Sequence, residues 1–130
     1  MSKCDCKECQ ARRTGGYNYN GIFLDLDGVL ADWTGAVFAL FGVDPSNVEW
    51  THTDIAATLG ISTNCLWREV DAAGARFWAN LKPYPWAMDL WHLANGLAPT
   101  VVLTSPSHHP SSLAGKLQWM NRHLGKGKAF

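Results

Sequence analysis

GIFLDLDGVLADW, residues 21–33, decides how this chain reads. The apolar run at 22–24 is short and opens after a glycine, as a buried strand of a parallel sheet does. It leads directly into Asp25, Leu26, Asp27 and Gly28. Alternate side chains of an extended segment share a face, so Asp25 and Asp27 can address one site. Two carboxylates held close repel each other unless a cation or a shared proton intervenes. A hard divalent ion such as Mg2+ resolves that conflict and attracts phosphate as well. Gly28 allows the backbone a tight turn beside a ligand.

Downstream of this turn, residues 32–82 read as mostly helical, with breaks at GVDPSN and LGIST where Gly42, Pro45 and Gly60 interrupt the pattern. KPYPW stops any helix, and Leu90, Leu93, Ala94 and Leu97 then follow helical spacing with Gly96 as a stop. TVVLTSPS is a second strand whose end carries hydroxyls. A last helix is expected to be capped by Ser111 or Ser112, to bury Leu113, Leu117, Met120 and Leu124 on one face, and to end at Gly125. Strand, helices, strand, helix is the order of an α/β fold with a parallel sheet. Upstream, residues 1–20 hold Cys4, Cys6 and Cys9 and read as an arm. Three thiols do not complete a tetrahedral zinc site without Cys65 or His52, so a reduced tail and a metal knot both stay open.

Ligands of open parallel sheets bind outside the carboxyl ends of the strands, and DLDG and TSPS both occupy such ends. With a phosphate ester there, one carboxylate can attack phosphorus while the other protonates the leaving oxygen and later activates water. Thr104 and Ser105 offer hydroxyls to the phosphate oxygens, and Lys116, expected in the first turn of its helix, offers charge. Each residue has a plainer reading too. A D-x-D pair occurs in ordinary turns, Thr104 and Ser105 could be a turn before Pro106, Lys116 could be a solvated helix residue, and most of the seven tryptophans are expected in the core. His108 and His109 receive no role.

DLDGVLADW resembles the first motif of the haloacid dehalogenase superfamily of phosphohydrolases, and VVLTS resembles its second. Within that superfamily LKPYPWA, TSP and KLQWMNRHLG are most similar to the 5'-nucleotidases and deoxyribonucleotidases with a small helical cap. The resemblance implies a Rossmann-like core at 21–31 and 83–130 and a cap at 32–82. It implies Asp25 as nucleophile and Mg2+ ligand, and Asp27 as acid/base that also binds the metal through its carbonyl. Thr104 and Ser105 would hold the phosphoryl group beside Lys116, and Trp33, Phe77 and Trp78 would enclose the substrate, most naturally a nucleoside monophosphate. The family's fourth motif is a later aspartate pair, whereas all eleven acidic residues here lie at or before Asp89. The sheet is therefore expected to be incomplete at its C-terminal side. The chain is read as a fragment of such an enzyme, or alternatively as a module that binds phosphate or a partner without turnover.

The 130 residues suffice for one domain. A net charge of zero removes the electrostatic footprint of a general nucleic-acid binder. No apolar run approaches the roughly 20 residues of a membrane span, and the polar start is unlike a signal peptide, so a cytoplasmic protein without membrane partners is the expectation.

Overall fold

The computed structural model describes residues 6–7, 20–50 and 54–126. It is a mixed α/β structure in which helices dominate and two short strands, β1 (Ile22–Leu24) and β2 (Thr100–Val102), form a parallel sheet. Ile22 is opposite Thr100, Phe23 opposite Val101 and Leu24 opposite Val102. Both strands thus end on the same edge, and their following residues, Asp25 and Leu103, leave the sheet side by side. β1 is less buried than a strand covered on both faces: Phe23 is 66% exposed, because helices cover the sheet on its other face.

The turn after β1 is built around the Leu26 carbonyl, which accepts hydrogen bonds from the amides of Leu30 and Ala31, each at 2.9 Å. Gly28 closes it at φ +80, a left-handed conformation that other residues adopt only with strain. KPYPW then lies along this turn. The Asp32 amide donates to the Lys82 carbonyl at 2.8 Å, the Tyr84 amide to Leu30 at 2.9 Å, and the Trp86 indole to Val29 at 3.0 Å. Two prolines free this segment from helix and leave its remaining polar groups for the turn.

Between the strands run α1 (Trp33–Leu40), a single 3-10 turn (Pro45–Asn47), α2 (Ile55–Leu59), α3 (Thr63–Ala73), α4 (Ala75–Ala79) and α5 (Ala87–Leu97). The expected breaks fall where glycine and proline punctuate the sequence. Asp32, Asp54 and Ser62 cap α1, α2 and α3 by accepting from the amides of Gly35, Ala56 and Cys65. Gly74 adds a break between α3 and α4 that spacing alone does not announce. Leu26, Val37, Val70, Trp78, Val102 and Trp119 belong to one apolar cluster, so the helices of 32–82 and the strands share a core.

The last helix, α6 (Pro110–His123), corrects two expectations. Its N-cap is His109, whose Nδ1 accepts from the Ser111 amide at 3.2 Å, while the Ser112 hydroxyl accepts from the Ser107 amide at 2.8 Å. Its buried stripe is Ser112, Gly115, Lys116, Trp119 and Met120, and Leu113 and Leu117 face solvent. The reason is the closeness of α4. A Cβ at Gly115 would overlap the Ala75 carbonyl and lie 2.5 Å from Trp78 Cβ, so only the small-residue side of α6 can approach. Trp119, one position off the expected apolar face, is fully buried and donates its indole N–H to the Leu81 carbonyl at 2.8 Å. Among the described residues no helix is long and apolar enough to cross a membrane.

Candidate functional site

Lys116 ties the two strand ends together. It stands in the second turn of α6, not the first, and its side chain is only 2% exposed, which replaces the solvated-lysine reading. A buried ammonium must place three protons. They go to Asp27 Oδ2 at 2.8 Å, Thr104 Oγ1 at 3.0 Å and the Ser105 carbonyl at 2.7 Å. The Trp78 ring adds a face for the charge, with its centroid 4.9 Å from Nζ. One cation thereby fixes the turn after β1, the loop after β2 and the helix that follows.

Asp27 is pulled in opposite directions. Burial pushes its carboxyl above the ordinary carboxylate range, the hydrogen bond and charge of Lys116 act against that rise, and the charge of Asp25 reinforces it. The net direction is up. A carboxyl so placed holds a proton to higher pH than a free aspartate, which suits a group that must donate and recover one.

A cavity of about 450 Å3 opens on this cluster. Asp27, Ser105 and Lys116 line it from the strand ends, and Trp33 of α1, Trp67 and Asp71 of α3 and Trp78 of α4 line it from the helices. The Trp33 and Trp67 rings sit 5.9 Å apart and 32° from coplanar, giving the cavity an aromatic wall. Five buried side-chain polar atoms have no hydrogen-bond partner among the described residues: Asp27 Oδ1, Trp33 Nε1, Asp71 Oδ1, Trp78 Nε1 and Ser107 Oγ. All five residues line this one cavity. Leaving such groups dry costs about 1–3 kcal/mol each, so their convergence marks a place that water or a ligand completes.

The structure brings Asp27, Lys116, Ser105, Trp33 and Trp78 together at the cavity and joins Thr104 to them through Lys116. It does not place Asp25 or Phe77 on the cavity wall. Asp25 is exposed, with Oδ1 accepting from the Leu26 amide at 2.8 Å. Phe77 instead lines a second cavity, of about 540 Å3, with Asp32, Arg76, Asn80 and Lys82, because on the short helix α4 adjacent side chains point about 100° apart. Trp67, Asp71, Pro106, Ser107 and His108 are wall residues that sequence reasoning did not assign, His108 having been given no role. For Trp67 and Asp71 a signal existed: four apart on a helix, they share a face beside the buried Leu66 and Val70. Ser107 lay inside the quoted TSPS.

The donors that the resemblance names for a divalent cation are the Asp25 carboxylate, which is exposed and off the cavity wall, and the Asp27 main-chain carbonyl, both hard oxygens of the type Mg2+ takes. Among the described residues no group of three histidine, cysteine, aspartate or glutamate side chains converges. Cys4, Cys9 and His52, invoked for a cysteine-based metal site, lie outside the described residues.

No model of a known protein family matches the chain, and no curated protein matches it.

Proposed function

We propose that the chain carries the active site of a Mg2+-dependent phosphomonoester hydrolase of the haloacid dehalogenase type, with a Rossmann-like core and a small helical cap, acting on nucleoside monophosphates. The observation that carries this reading is the buried Lys116 ammonium, clamped by Asp27, Thr104 and the Ser105 carbonyl at the carboxyl ends of two parallel strands and opening on an aromatic-walled cavity. A cation that is already desolvated and held from three sides sets a fixed positive charge beside the place a phosphoryl group would occupy.

In this reading the Asp25 carboxylate attacks phosphorus, the ester P–O bond breaks, and the leaving oxygen takes the proton that Asp27 holds. Asp27 then accepts a proton from water as that water attacks the acyl phosphate, releasing phosphate and restoring Asp25. Asp25 would hold Mg2+ together with Asp27, and the ion would supply positive charge against the repulsion between the nucleophile and the phosphoryl oxygens. Ser105 and Lys116 orient the phosphoryl group, while Trp33 and Trp78 give the organic part a surface that excludes water.

The test is release of inorganic phosphate from a panel of nucleoside monophosphates with and without Mg2+, for the wild type and for Asp25→Asn. Turnover that needs Mg2+ and disappears in Asp25→Asn is the expected result. Turnover that survives in a folded Asp25→Asn overturns the acyl-phosphate route. A second reading, a module that binds the ester without turning it over, is favoured by the position of Asp25 outside the cavity wall. It predicts ligand binding with no phosphate release under any metal condition.

A further inference from the structure

Asp71 occupies a position that stability alone disfavours three times over. It lies in the last turn of α3, where the helix macrodipole is negative and a carboxylate is repelled. Its Oδ1 is buried and has no hydrogen-bond partner among the described residues. No cation pairs with it among those residues either, although its carboxylate is partly buried. The same helix face, one turn earlier, carries Trp67 to the same cavity, and the indole N–H groups of Trp33 and Trp78 are left open there. The helical wall therefore offers a flat aromatic surface, two donors and one strong acceptor.

We propose that Asp71 is a specificity-determining residue of this cavity, accepting a hydrogen bond from an amine or ring N–H on the flat, uncharged organic part of a phosphate monoester. The placement of the ester's phosphoryl end at Asp27, Ser105 and Lys116 rests on the hydrolase reading above. The assignment of Asp71 rests on the helical wall alone. A ligand with such a donor satisfies an oxygen that is otherwise left dry, and its ring carbonyls can take the two indole protons. A ligand without the donor leaves Asp71 Oδ1 unpaired against its ring, and a site built around a hydrogen bond rejects analogues that lack it far more strongly than an apolar pocket does.

The experiment is calorimetric titration of the intact chain with cytidine 5'-monophosphate, which carries an exocyclic amine, and with phenyl phosphate, which carries no donor on its ring. Asp71→Leu is expected to weaken cytidine monophosphate at least tenfold and to strengthen phenyl phosphate severalfold, because its ring no longer strands a carboxylate, while Asp71→Asn, which keeps a neutral acceptor, recovers most of the loss of cytidine monophosphate affinity. Thermal unfolding of each variant separates a folding defect from a binding one, and the Asn variant keeps the question answerable if Leu is not tolerated. Equal cytidine monophosphate affinity in the wild type and a folded variant overturns the assignment, and so does absence of measurable cytidine monophosphate binding by the wild type. The hydrolase reading fails separately. Asp71-dependent binding without phosphate release refutes hydrolysis and keeps Asp71, whereas phosphate release that no Asp71 variant biases between the two esters keeps hydrolysis and refutes Asp71.

Discussion

Two cavities among the described residues are similar in size, about 450 Å3 at the strand ends and about 540 Å3 between α1 and α4, yet they differ in what their walls have left over. In the larger one hydrogen-bonding capacity is spent internally. Asp32 caps α1 through the Gly35 amide at 2.9 Å and accepts from the Tyr84 hydroxyl at 3.3 Å, and Asn80 Oδ1 accepts from Arg122 at 3.3 Å. In the smaller one five buried polar atoms await partners. Volume records only where the helices fail to meet. Unspent polar groups that converge on one space mark where water or a ligand completes the hydrogen bonding.

The comparison breaks most visibly at Lys116. Lys116→Met leaves Asp27 buried without its cation and is expected to abolish phosphoryl binding and to destabilise the fold by about 3 kcal/mol, the low end for a broken buried pair because the Asp27 side chain is 30% exposed. Arg76→Met in the other cavity is the matched control and should move neither quantity beyond about 0.5 kcal/mol. Urea unfolding and titration with inorganic phosphate measure both. Comparable losses from the two substitutions would erase the distinction between the cavities.

Gly115 tests how the smaller cavity is built. Gly115→Ala puts a methyl against the Ala75 carbonyl and Trp78, so α6 must back away from α4, at a cost of about 1–3 kcal/mol for overpacking. Because Lys116 is the next residue, nucleotide affinity should fall together with stability. Unchanged unfolding midpoint and affinity would mean that the close approach is not what seats Lys116.

The aromatic residues sharpen the contrast further. A base stacked on Trp33 is worth about 1–3 kcal/mol, so Trp33→Ala should weaken nucleoside monophosphates while inorganic phosphate binding stays put. Phe77→Ala, at the other cavity, should leave nucleotide affinity alone. Equal effects from both would return Phe77 to the substrate site despite its position.

The smallest effect is electrostatic. The Asp27 pKa is raised by burial, so between the ordinary carboxylate value of about 4 and the raised one the native chain keeps a proton that the unfolded chain has lost. Its contribution to stability is thus fully present at low pH and is lost as pH rises through the folded pKa. Asp27→Asn should flatten that decline. Asp44, lowered by the Ser46 amide and hydroxyl, acts oppositely but is common to both proteins and cancels in the difference. Stability profiles of wild type and variant that run parallel from pH 4 to 7 would show that Asp27 does not titrate this way.

By itself the sequence determined the parts that depend on local pattern. The apolar runs before DLDG and TSPS give two strands of one parallel pair, glycine and proline give the breaks at 42–47 and near Gly60, and the hydrogen-bond partners of Lys116 are all in the motifs quoted. Tertiary structure alone decided which stripe of α6 is buried, that Phe77 and Trp78 serve different cavities, and that Asp71 and Ser107 face the same space as Asp27. The reason is one of distance between elements. Hydrophobic spacing says that a helix must cover apolar surface, but α6 carries both a leucine stripe and a small-residue stripe, and how near α4 can come selects between them. A glycine that lets two backbones touch outweighs two leucines, because close packing over the whole helix pair, together with the hydrogen bonds of Lys116 and Trp119, gains more than covering Leu113 and Leu117 would. That choice is a property of two helices in contact and is written in neither alone.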